Sequence, residues 1–332
     1  MTAPGTELRI ALDSVRLQRA SSFTLLGRRF RVLAGPALPG PVPPLEAALA
    51  EELYTSLHCR VPPQGANAFV YPGWLGPPDF AARLSAANVG TGRWQTGWTV
   101  RGVDPDGRVV AERHGVRFWV PAGDYRSDAG AITPGGVGAV RIPKEYFELA
   151  SGFYLAHGSA DDTRGTGAGV RVYWHLTASG AERLMGLVTG CLNRASIAFQ
   201  LKVLSEPRRY HRTDPAVLYL ARDDYPRAVP LLRQVRADIA PWLRSRVSLL
   251  VKPLAPGIGL ADDPGDGVSF GEHRCGMLAA ILADPEWETL ESTAARVEFV
   301  SSRLACGGYD LNRLYLNPGS TDDLPLLDPD RP

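Results

Sequence analysis

The sequence predicts an α+β fold, a mixed or antiparallel sheet with flanking helices. Three observations carry this. Strand-like and helix-like stretches alternate too irregularly for the repeating βαβ units of a doubly wound sheet. The first half carries hairpin signals in close succession, from TGWTVRGV through the turn DPDG to RVVAER and VRFWVP, which predicts a three-stranded meander. The second half holds three strand candidates, VRVYWHL, IAFQLKVL and PAVLYLA, separated by a helical stretch and a charged loop.

Taken in order, the chain opens on a leader of weak periodicity and a Pro/Gly-rich stretch, AGPALPGPVP, which cannot be helix interior or central strand. PLEAALAEELYTSLH reads as an amphipathic helix. After the meander, Pro143 suits the first turn of a helix because its missing N–H is one of the unpaired donors there, so PKEYFELASGFYLAHG is expected to be helical. The polar loop SADDTRGTGAG lacks GxGxxG and precedes a strand instead of opening a helix, which argues against a dinucleotide loop. SGAERLMGLVTGCLN carries a capping-box signature in Ser179 and Glu182. DDYPRAVPLLRQVRADIAPWLRSR is expected to be helical but broken at Pro230 and Pro241, TLESTAARVEFVSSRLACGG to be a cleaner helix ending at glycine, and TDDLPLLDPDRP to be irregular. The expected organisation is an N-terminal helical and β-meander substructure over 1–140 packed on a core over 141–332, with one continuous domain as the alternative.

Composition narrows the function. A net charge of +1 argues against nucleic acid or an anionic membrane as main partner, since both require an extended basic face. The opening residues lack the basic start and apolar run of a signal peptide, and no stretch has the length of a membrane span, so a cytoplasmic location is expected. Cys59, Cys191, Cys275 and Cys306 lie far apart without CxxC or HExxH spacing, which predicts free thiols and no metal. Among 36 basic residues only Lys144, Lys202 and Lys252 are lysines. Arginine replaces lysine wherever a fixed positive charge suffices, but it cannot lose its proton at usable pH, so the three lysines mark positions where a titratable amine can matter.

Strand alternation gives one of them a direction. Arg171, Tyr173 and His175 share one face of VRVYWHL and Val172, Trp174 and Leu176 the other, while Phe199, Leu201 and Val203 leave Gln200 and Lys202 on the reverse of theirs. If the two strands are neighbours, Lys202 approaches Tyr173 and His175; a half-exposed sheet with polar residues in water accounts for the alternation equally well. The loop that follows, with Arg208, Arg209, Tyr210, His211, Arg212 and Asp214, suits bidentate phosphate binding with Asp214 orienting a guanidinium, or is simply solvated. Ser269 is expected to cap a helix starting near Gly271, where free N–H groups and Arg274 can meet an anion, unless Glu272 pairs with Arg274 structurally.

The succession LSAANVGTGRWQTGW, SGFYLAHG, VRVYWHLT, IAFQLKVL, RRYHRTDPAVLYLA and APGIGLADDPGDGVSFGEHRC resembles the domain of HopA-type type III effectors of plant-associated bacteria, over residues from about 50 to 280. Stand-alone members of that family occur in the biosynthesis of class V lanthipeptides and related thioamidated peptides. There they are understood as lyases that turn phosphoserine and phosphothreonine of a ribosomal precursor peptide into dehydroalanine and dehydrobutyrine after a kinase has acted. The resemblance implies chemistry, and a fold, similar to those of phosphothreonine lyases, with Lys202 as base. His175 is the implied acid, from a partial match of Tyr173-x-His175 to the lyases' Lys-x-His; Tyr173 is the alternative. Arg209, Arg212 and Arg274 are the implied phosphate ligands, with Lys144 and Lys252 as further ones, and Tyr210 and Asp214 are implied to position them. Neither cofactor nor metal is implied. The implied partners are a phosphorylated precursor peptide, a Ser/Thr kinase and a cyclase; nucleic acid and membrane are not among them. Two other readings remain, a peptide-binding or kinase-activating module without catalysis, and an effector acting on phosphorylated host proteins.

Overall fold

A computed structural model of the protein describes residues 4–18, 21–32, 43–62, 78–150, 152–160, 168–265 and 267–328. Most of AGPALPGPVP and of SADDTRGTGAG lies outside the described residues. The leader folds into helix α1 (Pro4–Asp13) and a small antiparallel meander of β1 (Arg16–Gln18), β2 (Ser22–Leu25) and β3 (Arg28–Arg31). Its second turn uses Leu26 and Gly27, both at positive φ, as a two-residue hairpin demands. Helix α2 (Pro44–Leu53) continues into one π-helical turn over Tyr54–His58, and α3 (Pro78–Ala87) follows.

The expected meander is present as β4 (Arg93–Val103), β5 (Val109–Arg113) and β6 (Val116–Val120), and β7 (Tyr125–Ser127) and β8 (Val137–Ile142) extend it to five strands in the order β6-β5-β4-β8-β7. Its inward residues, Trp98, Val100, Val109, Ala111, Tyr125 and Val140 among them, form a small core of their own.

The larger sheet is assembled from β9 (Glu145–Ala150), β10 (Phe153–His157), β11 (Gly169–Trp174), β12 (Phe199–Leu204), β13 (Ala216–Ala221), β14 (Lys252–Ala255) and β15 (Ile258–Asp262), in the order β14-β15-β11-β13-β12-β10-β9. Every pair in it is antiparallel. Between its strands run α4 (Ala181–Arg194), after β11, and α5 (Tyr225–Ile239), after β13; α6 (Phe270–Leu282) and α7 (Thr293–Cys306) follow β15. One face of the sheet, with Val172, Trp174, Phe199, Leu201, Val203 and Leu218, packs on α4 and α5. The other, with Tyr173, Val217 and Ala261, packs on residues of α2 and α6; in the same core Leu8 and Phe23 join Trp287 and Phe299 from the far end of the chain. The fold is α+β. Among the described residues no helix is long and apolar enough to cross a membrane.

Four expectations are corrected. PKEYFELASGFYLAHG is not a helix but the β9–β10 hairpin, turned by Gly152 at φ +73°. The segment carries helical signals, but β10 is buried at every position between β9 and β12, and ladder bonds on both edges outweigh local propensity. The strands carrying Tyr173 and Lys202 are not neighbours, because β13 lies between them. Ser179 does not cap α4: it belongs to a 3-10 turn over Ala178–Gly180, bonds Thr177, and leaves Glu182 to pair with Arg83. Pro230 does not break α5: it removes one backbone bond, to the Pro226 carbonyl, and the burial of Val229, Leu232, Val235 and Ile239 holds the helix across it; Pro241 lies just past the helix end.

Candidate functional site

Antiparallel register turns alternation along each strand into rows across the sheet. One row reads Leu155, Lys202, Val217, Tyr173 and Gly259, and the next His157, Gln200, Tyr219, Arg171 and Ala261. Both lie on the face opposite α4 and α5. At the β11 end the first row is roofed by rings: Tyr173 is buried under His58 and Phe270, with centroids 5.3 and 6.2 Å away. Toward β10 the roof stops, and a cleft of about 550 Å³ opens over Leu155, Lys202, Gln200, Tyr219 and Arg171.

Three segments wall the cleft: Tyr54 from the π-helical turn, Arg209 and Arg212 from the loop after β12, and Gly267, Val268, Ser269 and Glu272 from the start of α6. Four cations thus face it, Arg171, Lys202, Arg209 and Arg212, and among the described residues one carboxylate, that of Glu272. Arg212, 3% exposed, is held by Asp214 through Nε at 2.5 Å and Nη2 at 2.6 Å, and Nη2 also donates to the Tyr54 hydroxyl at 2.9 Å. Burial tends to raise the Asp214 carboxyl, but the Arg212 guanidinium and a hydrogen bond from His58 outweigh it and hold it well below the usual carboxylate range. Arg171 donates to Asp263 and to the Val268 carbonyl, which ties the loop before α6 to the sheet. The start of α6 is a full capping box, Ser269 accepting from Glu272 N–H and Glu272 from Ser269 N–H.

Lys202 sits half-buried in this field with Nζ 4.0 Å from the centroid of the Phe153 ring, and it makes no hydrogen bond to the described residues. Burial pushes its amine below the ordinary lysine range; the Asp214 carboxylate opposes this, and the Arg212 and Arg171 guanidiniums reinforce it. An amine so placed is closer to a usable base than a surface lysine. Burial raises the Tyr54 phenol well above its ordinary value, against the pull of the Arg212 guanidinium, so it is protonated at rest.

The structure brings together only part of the residue set drawn from the sequence. Lys202, Arg209 and Arg212 line the cleft, with Asp214 directly behind Arg212. His175 does not line it. Its N–H meets the Gly257 carbonyl, Nδ1 lies 2.9 Å from the Arg246 carbonyl, and Nε2 is buried without a hydrogen-bond partner among the described residues. Burial lowers its imidazole to about 4, which keeps it neutral near pH 7 and unable to donate the proton of an imidazolium. Tyr173 is sealed beneath the aromatic roof.

Arg274 is fully buried on the far side of α6, where it bonds the Leu314 and Leu316 carbonyls and the Asn317 amide oxygen, anchoring the C-terminal segment. Lys144 serves the carbonyls of Ser85 and Asn88 at the end of α3, and Lys252 holds Asp322 and the Leu324 carbonyl. Tyr210 donates to the Leu204 carbonyl and packs on Phe80, bracing the arginine loop from behind. Sequence reasoning did not select Tyr54, Arg171, Gln200, Tyr219 or Glu272 for the site. Alternation already put Arg171 and Gln200 on the right faces; the signal lacking was the register that joins them through Tyr219. Among the described residues no three His, Cys, Asp or Glu side chains cluster so as to hold a metal ion.

The solved structures similar to this chain include two effector proteins. The effector protein from Pseudomonas syringae pv. tomato strain DC3000 is 17% identical, with a TM-score of 0.45 over 85% of this chain and 92% of that one. The effector protein from Pseudomonas syringae pv. syringae strain 61 is 18% identical, with a TM-score of 0.36 over 50% of this chain and 62% of that one. No curated protein matches. The family model of the HopA1 effector protein family matches residues 146–316, more than half of the 332 residues and the stretch that supplies every cleft residue except Tyr54, and the chain belongs to that family.

Proposed function

We propose that the cleft receives a phosphorylated serine or threonine of a peptide and eliminates its phosphate. The observation that carries this reading is Lys202: an amine with lowered basicity, without a hydrogen-bond partner among the described residues, on the floor of a cleft faced by three arginines. Arg171, Arg209 and Arg212 bind the phosphate oxygens. The Lys202 amine takes the proton from Cα, the electron pair of that C–H bond becomes the Cα–Cβ double bond, and the Cβ–O bond breaks with its pair leaving on phosphate. The product is dehydroalanine from phosphoserine and dehydrobutyrine from phosphothreonine. The departing oxygen needs a proton, and neither His175 nor Tyr173 faces it. We assign that role to Tyr54, whose hydroxyl accepts the Arg212 Nη2–H, a bond that stabilises the phenolate formed when the proton leaves. Solvent then restores the phenol.

This chemistry consumes a phosphopeptide, so a Ser/Thr kinase must act first, and the alkene produced is a substrate for thiol addition by a cyclase. A precursor peptide of lanthipeptide type is the substrate we favour. The family's description as effectors favours a second reading, the same elimination directed at phosphorylated proteins of a host cell. The test is to incubate the protein with kinase-treated precursor peptide and with an unrelated phosphothreonine peptide and to follow both by mass spectrometry. Loss of phosphoric acid from the precursor peptide is the expected result, and loss from the unrelated peptide alone would favour the effector reading. Binding without loss from either would leave only a peptide-binding module.

A further inference from the structure

Behind Arg212 a line of buried polar groups leads away from the cleft. Asp214 Oδ2, which accepts from Arg212 Nη2, stands 3.5 Å from His58 Nε2. His58 Nδ1 is 3.1 Å from Ser248 Oγ, and Ser248 Oγ accepts the Leu250 backbone N–H at 3.1 Å. His58, Asp214 and Ser248 are 2%, 5% and 2% exposed. The imidazole cannot turn: Tyr54, Tyr173 and Phe270 surround it, and a Cβ on Gly271 would fall 2.4 Å from its Cδ2.

The hydrogen-bond distances favour one tautomer. Ser248 Oγ already accepts from Leu250, and its one proton has two takers, His58 Nδ1 at 3.1 Å and the Leu57 carbonyl at a marginal 3.5 Å. Donation to Nδ1 leaves the ring proton on Nε2, aimed at the Asp214 carboxylate. That carboxylate then receives two N–H groups from Arg212 and faces the His58 Nε2–H at 3.5 Å on its other side. A histidine that merely filled space here would not require a serine and an aspartate at its two nitrogens.

We propose that His58 is a positioning residue of the cleft: its Nε2–H tautomer, set by Ser248, locks Asp214 in the orientation that presents Arg212 to a bound phosphate. This rests on the reading of the cleft as a phosphate site. Without the His58 N–H Asp214 can rotate about its side chain, and the guanidinium bonded to it turns as well, so Arg212 meets phosphate in a range of poses instead of one.

The test combines two readouts on the full chain. A long-range 1H–15N spectrum, with the His58 signals assigned by their loss in His58→Gln, reports the tautomer, and Nε2–H is expected. Titration with inorganic phosphate reports the cleft. His58→Phe fills the space without a donor and is expected to weaken phosphate roughly tenfold. His58→Gln restores an N–H toward Asp214 and is expected to stay within about twofold of the parent, a rescue that a purely space-filling role does not predict. If His58→Phe fails to fold, Ser248→Ala carries the same test, with a mixed tautomer and weakened binding expected. An Nδ1–H tautomer in the parent, or full phosphate affinity in the variant lacking the donor, would overturn the positioning role alone. A parent protein that binds no phosphate would overturn the cleft reading and this proposal together.

Discussion

At the residue scale, Lys202 and His175 show burial acting on two titratable groups with opposite consequences for use. Lys202 opens on the cleft, so a lowered amine pKa becomes a source of free base there. Lys202→Ala is expected to lower kcat for phosphopeptide elimination by roughly 10²–10⁴-fold while phosphopeptide still binds. Lys202→Arg, which keeps the charge but not the basicity, should be as inactive; an arginine variant with parental turnover would remove Lys202 from the chemistry. His175 is buried away from the cleft with its imidazole lowered to about 4 from 6.5. Between those values the unfolded chain takes up a proton that the folded chain refuses. The stability owed to the neutral ring is therefore complete above pH 6.5 and is lost as pH falls toward 4, by up to about 3 kcal/mol. Urea unfolding between pH 4 and 7 should show this slope and His175→Gln should flatten it; an unchanged slope would point to another group.

At the element scale, α6 comes close to the π-helical turn at Gly271, where a Cβ would fall 2.4 Å from the His58 ring. Gly271→Ala is expected to cost about 1–3 kcal/mol by overpacking, read as a lower urea midpoint with an unchanged m-value. Legibility followed the range of the deciding interaction. The strands carrying Arg171, Lys202 and Leu218 were readable because each buries one apolar face on α4 and α5, and that burial writes itself into the sequence with period two. The Ser269 cap was readable because both partners lie within four residues. The β9–β10 hairpin was not, since the pairing of Tyr154 with Val203 and Leu155 with Lys202 joins segments almost fifty residues apart. Nor were β1 to β3, whose strands of three or four residues give alternation too little length to register.

At the scale of the whole molecule, the cleft joins parts of the chain remote from one another, Tyr54, Phe153, Lys202 and Glu272, and an anion bridging them should stabilise the folded state as a unit. Inorganic phosphate at ten times its Kd is expected to add about 1.4 kcal/mol, a rise of ~2 °C in Tm. Sulfate should imitate it, chloride at equal ionic strength should not, and Arg209→Gln should reduce the shift; equal stabilisation by chloride would mean no specific site. The sequence alone settled the α+β class, the two-faced strands, the arginine loop with its aspartate, and the singling out of Lys202, because each depends on residue chemistry or on neighbours a few positions away. Which candidates share a cleft was decided only by the tertiary structure. Insertion of β13 between two strands set Lys202 apart from Tyr173, an aromatic roof closed over one end of their row, and the C-terminal segment claimed Arg274 for its own carbonyls. Strand order and register arise from non-local pairing, and a pattern that repeats every two residues carries no information about which strand will lie beside it.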